Sequence, residues 1–324
     1  MVDVSLGEVV TGLRGKKNRV EPFRAVSWLE ERENDGTGAT AEVLTCFLAA
    51  AQCPWRCTMC DLWKNTLDGP TPRGAIPRQI ASVIGESRFQ GDWIKLYNSG
   101  SFFDRKSIPP GDLVEIARLC EPYKRVIVEN HPRLCGPAVI EFQQQLSGQL
   151  EVALGVETVQ PGMLRRLNKG MDRTHVDRAI DFLVRHAVDV RAFVLVGLPW
   201  NLPRETIPWT ILTVKHLQRL GVRHISLIPL RLGNGWMEML AEQGQFHPPS
   251  FHMVEELFGR LFEQRQSSVI TLDLWDLPRT AEDCPCLARR HDRLATMNLQ
   301  QRFSSEIVSC QSCQREDQID SGNP

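Results

Sequence analysis

The sequence has no long hydrophobic run and no excess of charge of either sign. Its apolar stretches, such as residues 188–199, are broken by Asp189 and Arg191, and none nears the ~20 residues of a membrane span. With 38 Lys+Arg against 39 Asp+Glu, there is no field strong enough to imply nucleic-acid or membrane binding. The opening MVDVSLGEVVTGLRGKKNRV lacks the basic-then-apolar order of a secretory signal, so a reducing cytoplasm is the expected compartment. Internal repeats and low-complexity tracts are missing too.

Cysteine is too sparse for a disulfide scaffold: ten in 324 residues is well below the ~8–10% of such chains. In a reducing compartment, cysteines that gather do so more often around metal. Here they gather twice. Cys53, Cys57 and Cys60 form one knot and Cys284, Cys286, Cys310 and Cys313 a second, while Cys46, Cys120 and Cys135 stand apart as packing residues or inert thiols.

With 42% hydrophobic residues the chain has ample material for a core, and its length fits one large domain with an appendage. Residues 1–40 alternate basic and acidic stretches and end in Asp35-Gly-Thr-Gly38, which reads as an N-terminal extension. From residue 41, short β-branched apolar runs alternate with helical patterns, the rhythm of parallel βα units. The strand candidates are 42–48, 93–97, 125–129, 150–156, 190–196 and 224–228, with a seventh at 269–274. Ile207, Ile211, Val214, Leu217 and Leu220 mark one apolar face of a helix over 205–220, with Pro208 in its first turn and Gly221 stopping it. Such an α/β pattern suits a barrel or a doubly wound sheet, and periodicity does not choose between them. After about 276 the rhythm breaks around Pro278, Pro285 and the second knot. The expected division is therefore 1–40, a core over 41–275, and a cysteine-rich appendage over 276–324.

Cys53-Pro-Trp-Arg-Cys57-Thr-Met-Cys60 follows the first expected strand with CxxxCxxC spacing. Soft thiolates suit iron–sulfur clusters and zinc, and three of them leave one metal corner open where a closed structural site takes four. In a βα barrel, chemistry sits on loops after the carboxyl ends of the strands, where this loop lies. Spacing alone leaves open a zinc site with a distant fourth ligand, or a ferredoxin-like electron carrier. The second knot, two close pairs separated by 23 residues, has four ligands and reads as a closed structural Zn²⁺ site, or else an auxiliary iron–sulfur cluster. Between the pairs, Arg289, Arg290, His291, Arg293 and Arg302 read as a solvated basic helix face that could also meet phosphate.

Cys53, Cys57, Met59 and Cys60 match CxxxCxΦC, with Φ apolar or aromatic, and in this the sequence resembles the radical S-adenosylmethionine (SAM) superfamily over roughly 41–275. The resemblance implies a partial (βα)₆ TIM-type barrel. It also implies a [4Fe-4S] cluster on the three cysteines, whose fourth iron takes the amino and carboxylate groups of SAM, and reductive cleavage to a 5′-deoxyadenosyl radical. A donor such as flavodoxin or ferredoxin is then required. Further landmarks follow in order. Tyr97-Asn98-Ser99-Gly100-Ser101 stands where the commoner turn is Gly-Gly-Glu, so the acid is missing and only the backbone role carries over. Glu157 is the polar residue after the fourth strand, and Gly197-Leu198-Pro199 the segment against the adenine. Glu129, His131, Arg231, Asp273 and Trp275 are candidates for a substrate at the same mouth. Cys57-Thr-Met-Cys60-Asp-Leu-Trp and the 97–101 turn look closest to the biotin-synthase-like branch that includes the archaeosine-pathway lyase. A small molecule or a modified tRNA base is the implied substrate. The rival expectation is a non-catalytic zinc adaptor that binds RNA or protein.

Overall fold

The computed structural model of the chain describes residues 5–263, 267–277, 285–304 and 310. Eight strands make one sheet in strict sequence order: β1 (Ser27–Asn34), β2 (Thr40–Phe47), β3 (Trp93–Tyr97), β4 (Arg125–Asn130), β5 (Gln149–Glu157), β6 (Asp189–Val196), β7 (His224–Pro229) and β8 (Val269–Leu272). β1 runs antiparallel to β2, and every later pair is parallel. The helices are α1 (Leu6–Gly12), α2 (Ala75–Ser87), α3 (Leu113–Leu119), α4 (Pro137–Gln145), α5 (Met163–Arg166), α6 (Arg173–Arg185), α7 (Pro203–Arg219), α8 (Trp236–Glu242), α9 (Phe251–Phe262) and α10 (Leu287–Gln300). All seven expected strands are present. Pro208 falls at the sixth position of α7, past the first turn, because the helix starts at Pro203.

Alternation along the strands separates two faces. Leu44, Ile94, Leu96, Val126, Val128, Val152, Leu154, Val190, Val194, Ile225 and Leu227 belong to the main core, which they share with helix residues such as Ile80, Ile116, Phe142, Ile180, Leu217 and Phe258. The other face carries Val43, Trp93, Ile127 and Ala153, with Tyr97 and Phe193 packed beside them. That face also carries charge. Arg191 on β6 donates to both carboxylate oxygens of Glu33 on β1, at 2.9 and 2.7 Å. Five strand spacings in a flat sheet would hold them ~24 Å apart. The sheet is therefore curled into a half-barrel, the architecture expected for this α/β chain, and its inner face is polar at the floor.

The floor is a lattice of ion pairs. Lys95 bridges Glu31 and Glu33 at 2.8 and 2.6 Å, Arg191 also meets Glu151 at 2.7 Å, and Arg125 joins Glu151 to Asp189 at 3.0 and 2.5 Å. Burial pushes the Glu151 carboxyl up, but Arg191, Arg223, His224 and Arg125 outweigh it and hold the group down at about 2. Glu33 is held well below its usual value in the same way, burial being overcome by Arg191 and Lys95. His224 is wholly buried and pulled down to about 3, first by burial and then by Arg191.

β1 corrects the expectation that 1–40 merely leads into the domain. Its inward residues include Glu31 and Glu33 while Trp28, Glu30 and Arg32 point out, so the usual apolar-in pattern is inverted by ion pairing. The Asp35–Ala39 turn joins it to β2, with the Asp35 carboxylate accepting from the Thr37 and Ala39 amides. At the other edge α10 packs against both β1 and β8. Asn298 and Gln301 use their carboxamides as a strand would, each donating to and accepting from the β8 backbone, at Leu272 and Ile270.

Candidate active site at the barrel mouth

The loop after β2 carries Cys53, Cys57 and Cys60, and it is held from several sides. Its Thr58 amide donates to the Leu167 carbonyl at 3.0 Å, and Asn168 donates to Arg56 O at 2.7 Å. Asn234, beyond β7, donates to Thr58 O at 2.7 Å, while its own Oδ1 accepts from the Met237 amide. Trp55 stacks on His131 with ring centroids 3.6 Å apart and planes 9° from parallel, a contact worth ~0.5–1.5 kcal/mol. His131 in turn donates Nε2–H to Lys169 O at 3.0 Å and accepts from the Arg133 amide at Nδ1. Burial pulls it down to about 3, so it stays neutral. His131 thus props the cysteine loop through its stack on Trp55 and its bond to the Lys169 carbonyl.

Cys57 is buried and Cys53 and Cys60 half-buried. Burial pushes Cys53 up to about 11 and Cys57 up to about 12, and raises Cys60 as well, while Lys169 opposes all three shifts. Metal binding at these thiols therefore releases protons. Among the described residues no three His, Cys, Asp or Glu side chains are already drawn together as a single-ion site. The three thiols share one loop, with Lys169 and Arg14 supplying positive potential around them.

The turn after β3 faces this loop. Asn98 and Ser101 are fully buried, and Ser99 adopts a left-handed φ of 55°. A Cβ at Gly100 would lie 3.6 Å from Cys53 Cβ and 3.8 Å from Asn98 Nδ2, so turn and cysteine loop touch. The Gly100 amide donates to Glu129 Oε1 at 3.2 Å. Burial raises the Glu129 carboxyl to about 7, tempered by the Gly100, Asn98 and Ser99 amides. Although the turn has lost its own acid, a carboxylate reaches it from β4.

Glu157 ends β5 at a bulge and has a φ of 64°. Its carboxylate pairs with Lys169, a buried ammonium that burial alone would lower but that Glu157, Cys57 and Cys53 hold above its usual value. A Cβ at Gly155 would meet Lys169 Nζ at 2.5 Å and Glu157 Oε1 at 2.8 Å, so the ion pair occupies space that only glycine leaves. Lys169 is the site residue that sequence reasoning missed; Asn168-Lys169-Gly170 carries no recognisable signature. Gly197 has a φ of 77° and would strike Pro249 with a Cβ at 2.8 Å, and Leu198 is buried. Met59 packs against the small apolar cluster that includes Leu195, Leu198 and Trp236.

Other candidates lie elsewhere. Arg231 ties Asp61 to Asp276, and Asp273 accepts from the Trp275 amide at 3.0 Å, both bracing loops. Trp275 is 76% exposed. Cys284 and Cys313 lie outside the described residues. Cys286 is buried at the start of α10 and Cys310 half-buried. The solvated basic face expected around 289–302 is not found in full: Arg290 and His291 are buried, Arg290 and Arg293 both pair with Glu255, and His291 meets Leu274 O at 3.3 Å. Glu255 on α9 draws these arginines inward.

No family model matches the sequence. A search of curated proteins finds an uncharacterised protein of Methanocaldococcus jannaschii, 22% identical over 229 residues, covering 67% of this chain and 63% of that protein. Among solved structures, SuiB of Streptococcus suis superposes with a TM-score of 0.50 at 10% identity, over 69% of this chain and 47% of SuiB. SuiB bound to S-adenosylmethionine gives 0.51 at 10% identity, over 69% and 48%. The half-barrel is SuiB-like. This chain spans less than two thirds of either relative's length, and the likeness is one of fold.

Proposed function

We propose that the chain is a radical SAM enzyme in which Cys53, Cys57 and Cys60 hold a [4Fe-4S] cluster and SAM binds at the barrel mouth. The observation that carries this reading is the three-cysteine loop placed after the first parallel strand of a half-barrel, against the Asn98–Ser101 turn and the Glu157–Lys169 pair. The residues present fit the group: three thiols for three irons, a buried cation beside them, and unpartnered buried donors on Asn98 and Thr58 at the same loop and turn. When bound, cluster and SAM together supply one-electron cleavage and a 5′-deoxyadenosyl radical that takes hydrogen from the substrate.

The chain's own residues bind, orient and exclude. Met59 and the Asn98–Ser101 backbone border the cofactor's methionine end, and Glu157, fixed by Lys169, is placed for a charged or hydroxyl group of SAM. Gly197, Leu198 and Pro199 form the wall for its adenine. Glu129, close to neutrality in its titration, adds an acceptor for the ammonium. The floor lattice closes the opposite end, so substrate enters at the rim. A small biosynthetic molecule or a modified nucleoside, as in the biotin-synthase-like and archaeosine-lyase branch, is the proposed substrate. Flavodoxin or ferredoxin is the proposed reductant and the cytoplasm the compartment. The tail cysteines are proposed to hold zinc or a second cluster. A zinc-binding RNA adaptor is less well supported, because it needs a closed site at the first knot and an exposed basic tail, and Arg290 and Arg293 are turned inward.

Anaerobic reconstitution with iron and sulfide, followed by assay for 5′-deoxyadenosine with SAM and dithionite, tests the proposal. A brown, iron-loaded protein that releases 5′-deoxyadenosine is the expected result. A folded preparation with neither cluster nor cleavage would refute it.

A further inference from the structure

Buried polar side chains in this chain generally find partners. Gln79, fully buried behind the sheet, donates to Ala49 O and Pro22 O and accepts from the Ala49 amide. Around the cysteine loop the pattern fails. Asn98 is wholly buried and both atoms of its carboxamide lack a hydrogen-bond partner; no other buried carboxamide among the described residues is left so. Ser101 Oγ and Thr58 Oγ1, also fully buried, are in the same condition. Each such group is unfavourable by ~1–3 kcal/mol unless something fills its hydrogen bonds.

All three belong either to the cysteine loop or to the 98–101 turn that touches it. Thr58 lies between Cys57 and Cys60 in the loop itself. Asn98 Nδ2 and Cys53 Cβ flank the same point above Gly100, at 3.8 and 3.6 Å. Asn98 offers two N–H donors, and Ser101 and Thr58 one hydroxyl each. No cysteine sulfur takes up these donors, and the acceptors that a bound cluster would bring are further sulfur atoms, which accept weakly when neutral and better as thiolate or sulfide.

We infer that the Asn98 carboxamide, seconded by the Thr58 and Ser101 hydroxyls, donates hydrogen bonds to the sulfur atoms of the cluster held by Cys53, Cys57 and Cys60 and raises its reduction potential. This rests on the iron–sulfur reading of the site. Donors aimed at sulfur stabilise the more negative, reduced state, one of the levers by which proteins set cluster potentials. It gives Asn98 a side-chain role separate from whatever its backbone does toward SAM.

The test is an EPR-monitored redox titration, without SAM, of the anaerobically reconstituted full chain and of N98A, N98D, T58V and S101A, with iron and sulfide counted in each. N98A is expected to keep its iron and to lower the reduction equilibrium about tenfold, which is about 59 mV for one electron. N98D, isosteric but without the donor and with an added charge, should fall at least as far, and serves if N98A loses iron. T58V and S101A should move the same way by less. A wild-type cluster whose potential is unchanged in both Asn98 variants overturns the inference and leaves the radical SAM reading standing. Failure of the wild type to assemble any iron–sulfur cluster overturns both.

Discussion

The two ends of the half-barrel are both polar and both buried, yet they are finished differently. At the floor, Glu31, Glu33, Lys95, Arg125, Glu151, Asp189 and Arg191 each have an opposite charge within 3.0 Å. At the rim, the side-chain polar groups of Thr58, Asn98 and Ser101 are hidden from water and have no hydrogen-bond partner. The floor's carboxylates all meet cations of the same chain, and its leftover polar atoms are single nitrogens of Arg223 and His224, whereas at the rim a whole carboxamide and two hydroxyls are left over.

The sharpest way to break that contrast is at the cysteines. Cys57→Ala is expected to abolish iron retention and 5′-deoxyadenosine formation while leaving the circular dichroism of the fold intact; an iron-loaded, active variant would show the rim complete without its thiols. Arg191→Met should do the reverse. It leaves Glu33 and Glu151 buried without their main partner, which destabilises by ~3–5 kcal/mol in urea unfolding, and iron bound per folded molecule should not change.

Acid probes the floor more gently. Glu151, at about 2 when folded against 4.5 as a free group, contributes stability above pH 4.5 that disappears as pH falls through about 2. His224 acts sooner: held neutral down to about 3, against 6.5 when unfolded, it lets the unfolded chain gain a proton first. Stability should therefore decline below pH 6.5, with a slope of up to ~1.4 kcal/mol per pH unit from this group. Urea midpoints at pH 8, 6 and 5 check it, and in His224→Gln the decline over that interval should be shallower. The smallest effect belongs to the sheet edge, where Asn298→Ala removes two neutral hydrogen bonds to Leu272 and should lower stability by ~1–2 kcal/mol without touching iron content.

Much of this could be read from residues in order. The parallel strands announce themselves as short β-branched apolar runs between helical patterns, and the CxxxCxxC loop because three ligands lie within eight residues. β1 escaped because its meaning is non-local: Glu31 and Glu33 look like solvent-facing acids until Lys95 and Arg191, far along the chain, are brought against them. The signal that could have found it was the Gly-containing turn at 35–39 before a clear strand. Lys169 was invisible for the same reason, since its partners Glu157 and the cysteines meet it only once β5 and the β2 loop share a rim. The arginines of α10 misled in the opposite sense, reading as a wet helix face until Glu255 on another helix claimed them.

The carboxamides of Asn298 and Gln301 carry one more consequence. They do the work of a ninth strand, but they come from the last turn of the last described helix and the residue that caps it, so on the ribosome β8 emerges with its outer edge bare and stays so for some thirty residues of synthesis. At ~5–20 residues per second, that is an interval of seconds in which another edge could pair there instead. The barrel's seam is sewn from its C-terminal side, and its vulnerability to misassembly is greatest just before the thread arrives.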